Sequence, residues 1–100
     1  MYKFIVCNLI ERIRVGSGMY IGEPSVKLLN IYIEGYLAGA RDFGCFQRDI
    51  KYYNFTKWIT QKYDIKDKTI DWAGILIRIS GDDENAFYLF WQVWDEYLNE

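Results

Sequence analysis

The chain has 100 residues, of which 51% are hydrophobic and 19% aromatic, and its formal net charge is −2. One domain, 1–100, fits this length, and the apolar fraction suffices for a packed core, which argues against disordered and disulfide-rich classes. Two cysteines and no histidine are present, so we expect a reducing compartment, the cytoplasm, with no metal site and no cofactor.

The pattern of charges argues against both a signal peptide and a membrane-spanning helix. Asn8 interrupts the apolar start of the chain, and Glu11 and Arg12 follow at once. The longest uncharged run, 85–94, is far shorter than the about 20 apolar residues that a helix needs to cross a bilayer. We therefore expect a protein that does not enter membranes.

The first predicted helix covers 2–14 and ends at Gly16, before the glycine-containing stretch RVGSGMYIGEP. A phosphate-binding loop would follow a strand and carry Gly-Lys-Ser/Thr, whereas this stretch follows a helix and lacks that motif. A corner between two helices is the better interpretation. We expect a positive φ at Gly16 and apolar side chains of 19–21 tucked under the corner.

The second helix is predicted to be the central one. It begins at Ser25 and keeps helical apolar spacing down to Gly44. Gly35 and Gly39 are four residues apart within it, a spacing that lets another helix approach closely. A looser connection, 43–53, is expected to follow.

The next two predicted helices are shorter. The third covers 54–63, with Asn54 as its N-cap, and a polar connector, 64–70, follows. Asp71 is expected to cap a fourth helix over 72–80, although its β-branched residues leave a strand open as the alternative.

The last helix has the clearest pattern, since Gly81 ends its predecessor and acidic residues 82–84 lie where the helix dipole favours negative charge. Its apolar half consists of Ala86, Phe87, Phe90, Trp91, Val93, Trp94, Tyr97 and Leu98. We expect Leu89, at the edge of the polar half, to widen the exposed apolar area. The sequence thus predicts an all-α, compact single-domain bundle of about five helices.

Catalytic chemistry has little support in the sequence. Cys7 and Cys45 have no histidine to activate them, and helix capping explains the consecutive acids 82–84. We expect no catalytic residues and predict that the protein is not an enzyme.

A partner-binding surface is predicted on the polar half of the last helix. Residues 79–100 hold six acids and no base, whereas 1–78 hold all twelve lysines and arginines and eight acids. An aromatic residue among carboxylates is typical of an anchor for a cationic protein. The candidate residues are Glu84, Tyr88, Gln92, Asp95, Glu96 and Asn99.

Two alternatives remain open. The region 48–68 mixes cationic and aromatic residues in a way that suits nucleic acid, although its acids and the acidic pI of the chain argue against this. Its members are Arg48, Lys51, Lys57, Lys62, Lys66 and Lys68 with Tyr52, Tyr53, Phe55, Trp58 and Tyr63. Self-association through Tyr88 and Leu89 is the second alternative.

The order of motifs resembles that of small bacterial immunity proteins of contact-dependent inhibition and other polymorphic toxin systems. The motifs are IERIR, GMYIGEPSVKLLNIYIEGYLAG, FTKWITQKYDI and DWAGILIRISGDDENAFYLFWQVWDEYL. The resemblance implies a non-catalytic protein that binds one cognate toxin domain, often a nuclease, and blocks its active site or substrate surface. The expected mechanism is substrate mimicry by Glu84, Asp95 and Glu96, with Tyr88 as the anchor.

Overall fold

A computed structural model describes residues 5–44 and 48–100, and this part of the chain is all-α without strands. The helices are α1 (Ile5–Val15), α2 (Ser17–Tyr20), α3 (Val26–Asp42), α4 (Ile50–Lys62), α5 (Trp72–Ser80) and α6 (Asp83–Leu98). The radius of gyration, 13.3 Å, is close to the about 13 Å typical of a compact 100-residue domain. The predicted fold class is therefore confirmed.

Within the described residues, none of these helices combines the length and the apolar character that crossing a bilayer requires.

The core is an aromatic cluster between α4, α5 and α6, with aliphatic residues of α1 and α3 around it. The ring of Phe55 lies 5.0 Å from Trp94 and 5.9 Å from Phe90, both nearly edge-on. Edge-to-face pairs of this kind add about 0.5–1.5 kcal/mol beyond their buried area. The apolar half predicted for α6 thus lies in the interior and holds α6 against α3, α4 and α5.

Three predicted helix starts are confirmed by their caps. A side-chain oxygen of Ser25, Asp71 and Asp82 accepts a backbone N–H from the first turn of α3, α5 and α6, at 3.1, 2.9 and 2.7 Å respectively. Gly81 then ends α5 in the left-handed conformation, with φ 97°. The segment 72–80 is a helix, so the alternative of a strand is excluded.

The start of α4 differs from the prediction, because the N-cap is Asp49 and not Asn54. Asp49 is completely buried, and its carboxylate accepts N–H groups from Tyr52 in α4 and from Val6 and Cys7 in α1, each at 3.0 Å. This tertiary contact with α1 lets the helix begin five residues earlier than an N-cap at Asn54 would. The expected loose connection is therefore shorter than 43–53, and its residues 45–47 lie outside the described part.

The glycine corner contains a one-turn helix, α2, so residues 5–44 and 48–100 form six helices where we expected about five. Gly16 has φ −137°, so the predicted positive φ was wrong. The positive φ of this corner is at Gly22 instead, with φ 83°. Met19 is 91% exposed and does not tuck under the corner. Tyr20 does pack inward, edge-on to Tyr32 at 5.7 Å.

The close helix approach predicted at Gly35 and Gly39 is not found in the described residues. A Cβ placed on either glycine would meet nothing within 4 Å. Ile31, four residues before Gly35, is exposed as well. This side of α3 therefore faces open space.

Candidate partner-binding face

The six candidate residues lie together on one side of α6, which we call the α6 face. Spacings of three and four residues from 84 to 99 keep them on one stripe of a helix, about 22 Å long. The members of the α6 face are Glu84, Tyr88, Gln92, Asp95, Glu96 and Asn99, and all are exposed. The structure thus brings the predicted residues together on a surface.

Tyr88 is the one large aromatic side chain of this face, and it is 55% exposed. Its ring packs edge-on against Phe87 at 5.6 Å, which fixes its position without covering it. Leu89 packs against the core and contributes little to the exposed area, contrary to our expectation. The apolar contact that this face offers is therefore Tyr88 alone.

Two carboxylates of the α6 face already have cationic partners within the protein. Asp95 accepts two hydrogen bonds from the guanidinium of Arg14, at 2.7 and 3.2 Å, and Glu96 accepts one from Lys62 at 2.7 Å. These bonds raise the pKa of Arg14 and of Lys62. Both carboxylate side chains remain 53% exposed, so each pair is worth only about 0–1 kcal/mol.

The other acids of 79–100 also have structural roles, with one exception. Asp82 caps α6, and Asp83 accepts a hydrogen bond from Ser25 and another from the N–H of Lys27, both at the start of α3. Glu100 accepts a hydrogen bond from the indole of Trp58. Glu84 is the exception, because it makes no hydrogen bond or ion pair with any residue that the structure describes.

The cationic and aromatic residues of 48–68 are divided between the core and the surface. Tyr52 and Phe55 are buried, and the indole N–H of Trp58 is bonded to a carboxylate. Lys62 and Lys66 are ion-paired. A continuous basic-aromatic face therefore does not form.

The remaining cations of that region fall into two groups. Arg48 and Lys51 lie over aromatic rings, Arg48 over Tyr53 at 4.8 Å and Lys51 over Tyr97 at 4.7 Å. Lys57 and Lys68 both line one groove beside α4, and neither has an ion-pair partner in the described part of the chain.

Cys7 does not have the properties of a nucleophile. Burial and the neighbouring Asp49 raise the pKa of Cys7 to about 12, so its thiol stays protonated at neutral pH. The thiol points to Asp49 Oδ1 at 3.7 Å, as a weak hydrogen bond. Cys45, the other cysteine of the chain, lies outside the described residues.

Two surface features have no counterpart in the predictions. Glu23 lies beside Asp82 and Glu84 around a cleft of about 360 Å³, which extends the acidic surface at the start of α6. Val15 and Met19 are both exposed at the α1–α2 corner. The acidic cleft could not be predicted, because Glu23 is far from Asp82 and Glu84 in the sequence. The exposure of Val15 and Met19 could not be predicted either, because it depends on packing.

Comparison of the chain with protein-family models, with curated proteins and with solved structures finds no match.

Proposed function

We propose that the protein is a cytoplasmic immunity protein that binds and neutralises a cognate bacterial toxin domain, of the nuclease class, through the α6 face. The observation that carries the proposal is Tyr88, an aromatic side chain 55% exposed on a helix face that otherwise bears carboxylates and amides. Central aromatic residues are typical hot spots of protein interfaces. The resemblance of the sequence motifs to immunity proteins supports the same function.

The charges of the α6 face fit a cationic partner. Glu84 has no cation beside it among the described residues, and the ion pairs of Asp95 and Glu96 are exposed and weak. Lysines and arginines of a toxin can therefore replace Arg14 and Lys62 at little cost. A nuclease site that binds phosphates presents such cations, so the carboxylates would occupy it in place of the substrate.

The test measures binding to the toxin domain encoded by the gene immediately upstream. We expect Tyr88→Ala to weaken binding about thirtyfold, the factor that corresponds to a hot-spot loss of about 2 kcal/mol. Glu84→Lys should weaken binding by a similar factor, because it places like charges together at the interface. Both side chains are exposed, so Tyr88→Ala should leave the melting temperature close to that of the unmodified protein. Glu84→Lys reverses a charge in the first turn of α6 and should cost only about 0.3–1 kcal/mol of stability.

Matched controls lie on α3, where Ile31 and Glu34 are also exposed. Ile31→Ala and Glu34→Lys make the same kinds of change away from the α6 face and should leave toxin affinity within about twofold. Unchanged affinity in Tyr88→Ala and Glu84→Lys would contradict the site. Equal losses in the α3 controls would point to a different surface.

A further inference from the structure

A groove of about 400 Å³ lies between α4 and the connector 63–71, and the α6 proposal does not use it. The α4 wall consists of 53, 56, 57, 60 and 61, whose spacings of three and four place them on one side of the helix. The other side of α4 faces the core. Lys68 and Ile70 form the second wall, from the connector.

The charged side chains that line this groove are all cationic. Lys57 and Lys68 are exposed, and neither is paired with a carboxylate in the described residues. The neighbouring Asp67 does not line the groove. Its carboxylate accepts the N–H and the hydroxyl of Thr69, at 2.9 and 2.6 Å. The groove therefore offers two free ammonium groups to an anion, whereas Lys62 and Lys66 are already neutralised.

The rest of the groove's lining can contact a flat aromatic ring of a ligand. Most of its exposed area is apolar, with contributions from the ring of Tyr53 and the side chain of Ile70. The guanidinium of Arg48 lies 4.8 Å from the centre of the Tyr53 ring, which adds positive charge nearby. Gln61 supplies an amide that can both donate and accept hydrogen bonds.

Both walls of the groove are held in place by the fold. The N–H of Ile65 donates to the carbonyl of Thr60 at 3.0 Å, which ties the connector to the end of α4. Ile70 packs closely over Gly74, where an added Cβ would come within 2.8 Å of the Ile70 side chain. The groove is therefore formed before any ligand arrives, which lowers the entropic cost of binding.

We propose that this groove binds a nucleoside phosphate, either free or as one unit of a single-stranded nucleic acid. Lys57 and Lys68 contact the phosphate, while Tyr53 and Ile70 contact the base. Stacking of a base on an aromatic side chain, with lysines on the phosphate, is the recurring mode of single-strand binding. The volume also lies within the range of about 300–1,000 Å³ found for small-molecule sites.

The test is isothermal titration calorimetry at low salt with four probes: adenosine, inorganic phosphate, AMP and a short single-stranded oligoadenylate. We expect AMP to bind about tenfold more tightly than adenosine or phosphate, because only AMP engages both the lysines and the apolar wall. The double variant Lys57→Ala/Lys68→Ala should weaken AMP binding about tenfold or more, since both phosphate contacts are lost. The double variant Arg12→Ala/Lys27→Ala removes the same charge from exposed positions of α1 and α3, which do not line the groove, and should change the affinity less than about twofold.

Each outcome bears on the proposal. An oligoadenylate that binds much more tightly than AMP, with a steeper dependence on salt, identifies a single strand as the source of the ligand. Equal affinities identify the free nucleotide. The proposal is overturned if AMP and oligoadenylate fail to bind, if phosphate binds as tightly as AMP, or if both double variants lose affinity equally.

Discussion

Asp49 is a buried carboxylate that stabilises the first turns of two helices. Three N–H groups, from Val6, Cys7 and Tyr52, point to its two oxygens, and the positive ends of the α1 and α4 dipoles meet there. Its burial is tolerated because every hydrogen bond replaces one that water would make. One side chain therefore bonds to both α1 and α4 where they meet.

We predict that Asp49→Ala lowers the free energy of unfolding by about 3 kcal/mol or more, because each buried N–H left without an acceptor costs about 1–3 kcal/mol. Asp49→Asn should cost less, since one oxygen can still accept a hydrogen bond. Urea unfolding measures both values. Asn54→Ala is the control: the residue is exposed within α4, and the change should stay within about 0.5 kcal/mol. A larger loss at Asn54 than at Asp49 would contradict the cap.

At the scale of the element, α3 and α5 contain glycines in contrasting surroundings. Gly35 and Gly39 lie inside α3 with open space where a Cβ would be. Gly74 lies in the first turn of α5, and a Cβ there would meet Ile70 Cγ1 at 2.8 Å. Helix propensity favours alanine over glycine at all three positions, so only the packing distinguishes them.

We predict that Gly35→Ala and Gly39→Ala each raise the free energy of unfolding by about 0.5–1 kcal/mol, the usual advantage of alanine inside a helix. Gly74→Ala should gain nothing or lose stability, because Ile70 must shift. Thermal and urea unfolding of the three variants provide the measurement. A loss of stability at Gly35 or Gly39 would mean that another chain or segment packs closely on α3.

At the scale of the whole molecule, the uneven distribution of charge along the chain is balanced in part by ion pairs inside the fold. Asp95 and Glu96 of α6 meet Arg14 of α1 and Lys62 of α4. Because these pairs are at the surface, they neutralise charge more than they add stability. The fold thus reduces the acidic surface that the sequence suggests and leaves its unpaired part near Glu84.

Asp83 links α6 to the start of α3 and makes the stability of the protein depend on pH. Burial opposes its ionisation, but hydrogen bonds from Ser25 and from the Lys27 N–H outweigh that effect and hold the pKa of Asp83 below its usual value. A lowered pKa in the folded state contributes stability above the pKa of the unfolded chain. That contribution is lost as the pH falls through the folded pKa.

We predict that Asp83→Asn lowers the free energy of unfolding at pH 7, and that its difference from the unmodified protein shrinks once the pH falls below about 4, near the ordinary pKa of aspartate. Urea unfolding at several pH values from 7 down to about 2, below the ordinary pKa of aspartate, measures the difference. Ser25→Ala removes one hydrogen bond to the carboxylate and should reproduce part of the effect. A difference that stays constant with pH would contradict this role of Asp83.

Local signals predicted much of this fold correctly. Ser25, Asp71 and Asp82 precede their helices directly, and each caps a helix through an N–H three residues later. The positions of the α6 face also follow from helical periodicity, since burial of one side leaves the other exposed. Asn54 is also of a residue type that favours the N-cap position. It lies inside α4 because the helix already begins after the cap at Asp49.

By itself, the sequence determined five of the six helices of the described residues and the apolar side of α6, because these properties depend largely on residues within about four positions of each other. Only the tertiary structure decided which charged side chains form ion pairs and which remain unpaired. Arg14 and Asp95 are 81 residues apart in the chain, and Lys62 and Glu96 are 34 apart. Lys57 and Lys68 line one groove only because the connector lies beside α4. Such pairings depend on how helices are placed in space, and no local pattern of residues records that placement.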